Sequence, residues 1–225
     1  MSFTHDLIKL NELSVKTEEG KRLYQTPQGK SYPSVTTVTG ILSKDDIQAW
    51  RQRIGEEKAD QITRAATSRG NEVHKLAELY LKNELFSQST LFDEPKTNNY
   101  KMFEALSSVL DNNVGIVRAI EAPLYSDVLR VGGRVDLVAE WDNELAVIDF
   151  KTSSKPKKER WIDNYFMQSS AYAFMFEELT KISINKIVIA LALENLGTQI
   201  FIKNANDYIQ QFIDLRKTYD IISNE

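Results

Sequence analysis

The sequence predicts an α/β fold: a mixed central sheet of about four or five strands, flanked by helices and preceded by a mostly helical N-terminal part. Three observations predict it. Residues 135–141 (VDLVAEW) and 145–150 (LAVIDF) are short apolar runs split by Asp142-Asn143, the pattern of a β-hairpin. Residues 184–193 (INKIVIALAL) form a near-continuous apolar run, the mark of a strand buried on both faces. Long segments before and between these runs carry helical composition, residues 55–83 above all.

The elements follow in order. The N-terminus reads as flexible, and its His5 is given no role. Residues 22–32 (RLYQTPQGKSY) predict a small hairpin turning at Thr26-Pro27-Gln28-Gly29. VTTVTGIL then predicts a short helix capped by Ser34, and residues 45–53 a second. Residues 55–83 predict two helices meeting near residues 68–70, where a serine and a glycine interrupt the pattern. A further helix is expected over 95–110 and a strand over 114–125. The hairpin comes next, then an amphipathic helix over 161–179. Strands over 184–193 and 199–203 and a closing helix over 208–222 complete the chain.

Composition bounds the function classes. The 225 residues are 42% hydrophobic and 27% charged, as in a soluble globular protein. No apolar run approaches the roughly twenty residues of a membrane span. The N-terminus lacks a signal-peptide pattern and is too acidic for a mitochondrial transit peptide. Cysteine is absent, which excludes disulfides, thiolate zinc and iron–sulfur clusters and fits a reducing cytoplasm. The net charge of −4 does not advertise nucleic-acid binding, although a local basic patch is compatible with it.

Chemistry concentrates in the hairpin. Asp136 stands in one run, Asp149 in the other, and Lys151 two residues further on. Strand periodicity puts Asp149 and Lys151 on one face and Phe150 on the other. A buried Asp149 needs a partner, and a divalent cation is one. Carboxylates without thiols favour Mg²⁺ or Mn²⁺, which polarise a phosphate and acidify a bound water. A lysine beside them stabilises developing charge. The competing reading is a surface hairpin whose Asp149 and Lys151 form an ordinary ion pair.

Three more constellations bear on this site. His74 and Glu78, at i and i+4, share a helix face beside an apolar stripe, so His74 is either a metal ligand or a half-buried helix histidine. Gln168 and Tyr172 repeat the spacing on the helix after the hairpin, suited to phosphate or metal-bound water or simply to a core. KTSSKPKKER, from Lys151 to Arg160, carries five basic residues and one acid. It reads as a mobile basic loop leaving the sheet edge and touching a phosphate backbone through Lys155, Lys157 and Lys158, or as a solvated loop. Arg51, Arg53, Arg64 and Arg69 with Trp50 make a second, weaker basic surface, diluted by Glu56, Glu57 and Asp60.

In this order, His74, Asp136, Asp149-Phe150-Lys151 and Gln168-Ser169-Ser170-Ala171-Tyr172 resemble the PD-(D/E)XK nuclease superfamily and its RecB-like branch. YPSVTTVTGIL, Trp50 to Glu57 and RGNEVHKLAELYL extend the likeness to exonucleases of phages and of mitochondrial genome maintenance, over residues 22–203. The first acid follows Gly-Gly-Arg-Val rather than proline, a form common in the RecB-like branch. The resemblance implies a restriction-endonuclease-like core in a single nuclease domain, residues 1–225, with a helical part over 1–112 and a catalytic sheet over 113–225. It implies His74, Asp136, Asp149 and the Phe150 carbonyl as metal ligands for Mg²⁺ or Mn²⁺, and no iron–sulfur cluster. Lys151 orients water, and Gln168 and Tyr172 support the site and touch DNA. By the same resemblance Ser34, Thr36 and Thr37 would contact a phosphate; Arg51 and Arg69, of the second basic surface, are expected as further DNA contacts. Glu121, where relatives often carry an acid, is read as a surface residue that a second metal could use. The expected protein is a monomeric DNA exonuclease acting on free ends of single strands in replication, recombination or repair. It works in the cytoplasm of a bacterial or phage-infected cell, without a membrane and with a possible helicase or polymerase partner. An endonuclease of the same fold and a non-catalytic DNA-binding module stay open as alternatives.

Overall fold

A computed structural model describes residues 2–18, 21–85, 97–195 and 197–223. The chain forms a three-stranded antiparallel sheet and a five-stranded mixed sheet. The small sheet is β1 (Ser14–Glu18), β2 (Lys21–Gln25) and β3 (Ser31–Pro33). The β2–β3 turn is the expected one, closed by Gly29 N–H to the Thr26 carbonyl at 2.9 Å, with Gly29 at φ +80°. Strand β1 was not expected. All five of its side chains are exposed, so it leaves no burial pattern to read and is held by backbone pairing to β2.

Four helices follow: α1 (Val35–Gly40), α2 (Lys44–Ile54), α3 (Glu56–Leu81) and α4 (Asn98–Asn113). Ser34 caps α1 as expected, its hydroxyl accepting from Thr37 N–H at 2.9 Å. The two helices expected over 55–83 are one continuous helix of 26 residues. Gly70 costs about 1 kcal/mol relative to alanine in a helix interior, which weakens a helix without stopping it. The packing of Val73, Leu76, Ala77 and Leu81 onto the sheet outweighs that cost. For α4, Thr97 is the N-cap, and residues 95–96 of the expected helix lie outside the described residues.

The large sheet has the order β4 (Val114–Ser126), β5 (Val131–Trp141), β6 (Glu144–Ser153), β7 (Lys186–Leu193) and β8 (Gly197–Asn204). All its pairs are antiparallel except β6–β7. Asp142 and Asn143 both sit at positive φ, 51° and 64°, as a two-residue hairpin turn requires. The crossover from β6 to β7 is made by α5 (Asp163–Thr180), and α6 (Asn206–Ser223) closes the chain. Helix α5 was expected to be amphipathic. It is buried without a break from Phe166 to Ala173, because the sheet lies on one side and α6 and α1 cover the others.

Two apolar layers hold the sheet. On the α5–α6 side Val147, Ile187 and Ile189 pack with Phe166, Phe176 and Phe212. On the α3–α4 side Ile148, Phe150 and Val188 pack with Leu81, Met102 and Leu106. The alternation along β6 assigns its faces: Val147 and Asp149 turn towards α5, Ile148 and Phe150 towards α3 and α4. Each fully buried Leu, Ile or Phe contributes roughly 1.5–3 kcal/mol.

The N-terminal stretch is not flexible as expected. It runs along the outer edge of β4, with Val117 N–H bonded to the Thr4 carbonyl at 2.9 Å and Asp6 N–H to the Val117 carbonyl at 2.9 Å. Phe3 is buried edge-on against Tyr80, 5.3 Å between ring centres. His5 bonds the Leu81 carbonyl through Nε2 at 2.7 Å. An edge strand exposes unpaired amides and carbonyls, and this segment satisfies some of them.

Candidate functional site

Strand β6 delivers Asp149 to a nearly dry position, its side chain 2% exposed. Oδ1 accepts a hydrogen bond from Gln168 Nε2 at 3.0 Å. Oδ2 lies in close ion pair with the Lys151 ammonium, although not along a hydrogen-bond direction. Lys151 also faces the ring of Tyr165, 5.2 Å from its centre. Two residues of β6 and two of α5 therefore meet because α5 returns over the strand it has just left.

Strand β5 brings in Asp136. Its Oδ2 accepts the Phe150 amide at 2.7 Å, and its Oδ1 lies 3.5 Å from Nδ1 of His74 on α3. Glu121 falls between the β4–β5 pairs Ile120–Leu137 and Ala122–Val135, which sets it opposite Asp136. Its Oε1 is 4.0 Å from the same imidazole nitrogen. Like charges facing across two strands destabilise a sheet. Glu121 also holds φ at +46°, a strained conformation for a side chain of its kind.

The electrostatics follow from burial. Burial pushes the Asp149 carboxyl upward, Lys151 opposes this, and Asp136 adds to it; the net shift is upward. Burial and the neighbouring Asp136 raise Glu121 to about 7. For His74, burial favours the neutral ring, but the facing Asp136 outweighs it and the pKa is raised to about 9. Burial disfavours the Lys151 charge, yet Asp149 and Asp136 more than compensate and hold its pKa above the usual value.

This geometry bears on a metal. One ligating atom from each of His74, Glu121 and Asp136 lies within 4.8 Å of the others. Two carboxylates and an imidazole, with no thiol, suit a hard or borderline divalent ion. Facing acids that repel each other, one with its pKa pushed up, fit a cation between them. Asp149 borders the cluster with its oxygens engaged by Gln168 and Lys151.

The side chains open into a cleft of about 590 Å³ between α3, the strand ends and the start of α1. Of the residues singled out from the sequence, His74, Asp136, Lys151, Gln168, Tyr172, Ser34 and Thr36 line it. Thr37 lies behind, its hydroxyl 2.7 Å from that of Ser34. Tyr172 is both buried and at the cleft, its ring filling the space that a side chain at Gly133 would take: an added Cβ there would stand 2.6 Å from the ring. Gly132 likewise makes room for Tyr24, 2.4 Å from an added Cβ.

Other residues are brought elsewhere. Arg51 is held by Glu56 and, at 2.5 Å, by Asp60; Arg69 pairs with Glu194 at 2.8 Å. The basic segment does not leave a sheet edge, since β6 lies between β5 and β7. It is tied down rather than loose: Lys157 N–H donates to Gln199 Oε1 at 2.8 Å, and Gln199 Nε2 returns to the Lys157 carbonyl at 3.3 Å. Lys155 and Lys158 are exposed on it.

Sequence reasoning undervalued Glu121, which is a member of the acid cluster. It overlooked Tyr165, although Tyr165, Gln168 and Tyr172 at i, i+3 and i+7 mark one helix face. Arg22 and Tyr24, which also line the cleft, carry no motif that singles them out.

The chain is similar to known proteins over most of its length. The sequence profile of the PD-(D/E)XK nuclease superfamily matches residues 49–217. Mitochondrial genome maintenance exonuclease 1 of Homo sapiens is 33% identical over 135 residues, 56% of this chain and 38% of that protein. The Mus musculus protein of the same name is 29% identical over 138 residues, 58% of this chain and 39% of that one. The chain thus spans about two fifths of the length of the curated relatives it matches. A solved structure from Eubacterium rectale overlaps with a TM-score of 0.46 at 12% identity, covering 67% of this chain and 64% of that chain.

Proposed function

The chain belongs to the PD-(D/E)XK nuclease superfamily, and we propose that it is a metal-dependent DNA exonuclease working from free ends of single strands. The observation that carries the reading is the convergence of His74, Glu121, Asp136, Lys151 and Gln168 from three strands and two helices on one cleft, with Asp149 buried against Lys151 and Gln168. The names of the similar mammalian proteins support the exonuclease part. The whole chain, residues 1–225, acts in this reading as one nuclease domain.

Hydrolysis joins a water oxygen to phosphorus and breaks the bond to the leaving oxygen, which takes up a proton. His74, Glu121, Asp136 and Asp149, with the Phe150 carbonyl, would hold Mg²⁺ or Mn²⁺, and the ion when bound supplies charge neutralisation and a more acidic water. Lys151 stays charged beside Asp149 at the cleft and would stabilise the negative charge that grows on the phosphoryl oxygens. Gln168 fixes the Asp149 carboxylate, and the Phe150 amide fixes Asp136, so both acids are pre-aligned and lose little freedom on reaction. Ser34 and Thr36 face the same cleft and offer hydroxyls to a phosphate.

The test is cleavage of end-labelled single strands with Mg²⁺ or Mn²⁺. Asp149→Asn and Lys151→Ala should each lower turnover at least a hundredfold while keeping the fold and the affinity for DNA. Unchanged turnover in either rejects the catalytic assignment. Closed circular single strands should resist; equally fast cutting of circles makes the protein an endonuclease.

A further inference from the structure

Between the end of β6 and the start of α5 the chain makes one tight 3-10 turn, Glu159–Trp161. Trp161 at its end is 57% exposed, the largest side chain in the chain to be left so open. Its ring is not bare. The Lys158 ammonium lies 5.2 Å and the Arg160 guanidinium 5.9 Å from its centre. The acid of this turn, Glu159, is neutralised by Lys203 at 2.5 Å, so the surface around the indole is cationic.

The turn is fixed on both sides. Before it, Lys157 is bonded to Gln199 of β8 in both directions. Within it, Trp161 N–H bonds the Lys158 carbonyl at 2.9 Å. After it, Ile162 is buried at 1% exposure and opens α5. The indole is thus anchored through buried Ile162 yet turned to water, with cations around it. It has the properties of a stacking surface for nucleic-acid bases, where an aromatic face meets the base and nearby cations meet the phosphates. Trp161 is also seven residues ahead of Gln168 on the same run, about 10 Å along a helical path. Tyr165, between the two in sequence, faces Lys151.

We propose that Trp161 is a base-stacking platform that holds an unpaired nucleotide of the substrate strand outside the cleft, flanked by Lys158 and Arg160. The proposal rests on the nuclease reading of the cleft and adds the feature of substrate that is recognised: an accessible base face, which a duplex conceals within its stack.

The experiment measures binding without cleavage, in EDTA, by fluorescence anisotropy. The probes are a labelled oligothymidylate and an abasic strand of equal length and charge. The intact chain should bind oligothymidylate about tenfold more tightly than the abasic strand. Trp161→Ala should bring that ratio to about one, and Trp161→Phe should keep most of it. A ratio kept by Trp161→Ala overturns the proposal. So does an equal loss of affinity for both probes, which would mark a charge effect, or failure of the intact chain to bind either probe. The two readings fail separately: a chain that cuts DNA without preferring bases ends this one alone, and a chain that shows the ratio but never cuts ends only the nuclease reading.

Discussion

Single residues decide the shape of this site by what they lack as much as by what they carry. Gly132 and Gly133 have no side chain, and the rings of Tyr24 and Tyr172 occupy the space. Gly132→Ala or Gly133→Ala must push a ring or the strand aside, which should cost about 1–3 kcal/mol. Urea unfolding would read this as a lower midpoint, and Gly133→Ala should lower turnover as well, because Tyr172 lines the cleft. Glu121 makes a second case. Its carboxyl is raised to about 7, so above about pH 4.5 the unfolded chain ionises it more readily than the folded one, and its stability contribution declines as pH rises through 7. Glu121→Gln should therefore stabilise the metal-free chain at pH 8, by about 2 kcal/mol, and should weaken stabilisation by Mn²⁺. Thermal unfolding with and without the ion checks both; an unstabilised variant that still responds fully to Mn²⁺ removes Glu121 from the metal site. Asp149, Lys151 and Gln168 were legible because strand and helix spacing put them on fixed faces. The place of Glu121 beside Asp136 was not, because it depends on which strand β4 lies beside, and neither that pairing nor its positive φ is written in neighbouring side chains.

At the scale of elements, side-chain periodicity predicted what is held by burial and missed what is held by backbone. Every strand of the large sheet was expected near its observed place, since each presents apolar residues to a core. Strand β1 and the N-terminal segment along β4 bury few side chains and are fixed by amide-to-carbonyl bonds, which leave no residue pattern. The division expected in α3 had the opposite cause: Gly70 is a local signal that tertiary packing overrides. An added Cβ at Gly70 would stand 3.7 Å from Thr152 Oγ1, an ordinary contact. Gly70→Ala should therefore stabilise the chain by about 0.5–1 kcal/mol, seen as a higher urea midpoint. A lower midpoint would mean that the helix is not continuous there.

At the scale of the molecule, the −4 net charge disguises how charge is arranged. The acids His74 faces are gathered in the cleft, and exposed cations stand on the Lys155–Arg160 segment that links β6 to α5. A polyanion approaching such a surface is drawn to the cations and repelled by the acids until these are neutralised. Mg²⁺ or Mn²⁺ should therefore raise strand affinity as well as turnover. Titration of oligothymidylate binding with Ca²⁺, a cation of the same charge, in the absence of cleavage would measure the first effect separately; affinity independent of the ion would argue against the acids as its site.

The parallel pairing of β6 with β7 has a consequence in time. Strands β4, β5 and β6 are joined by short turns and can pair early, which already collects Glu121, Asp136, Asp149 and Lys151. Gln168 reaches Asp149 only when α5 has crossed over and β7 has docked, a closure over a long stretch of chain and hence a slow one. A nascent chain therefore holds its acids before it holds the residue that aligns them. In refolding, recovered cleavage should lag behind the early formation of secondary structure, measured by stopped-flow circular dichroism against activity sampled at intervals. By that order of assembly, the proposed chemistry would wait until the fold is complete.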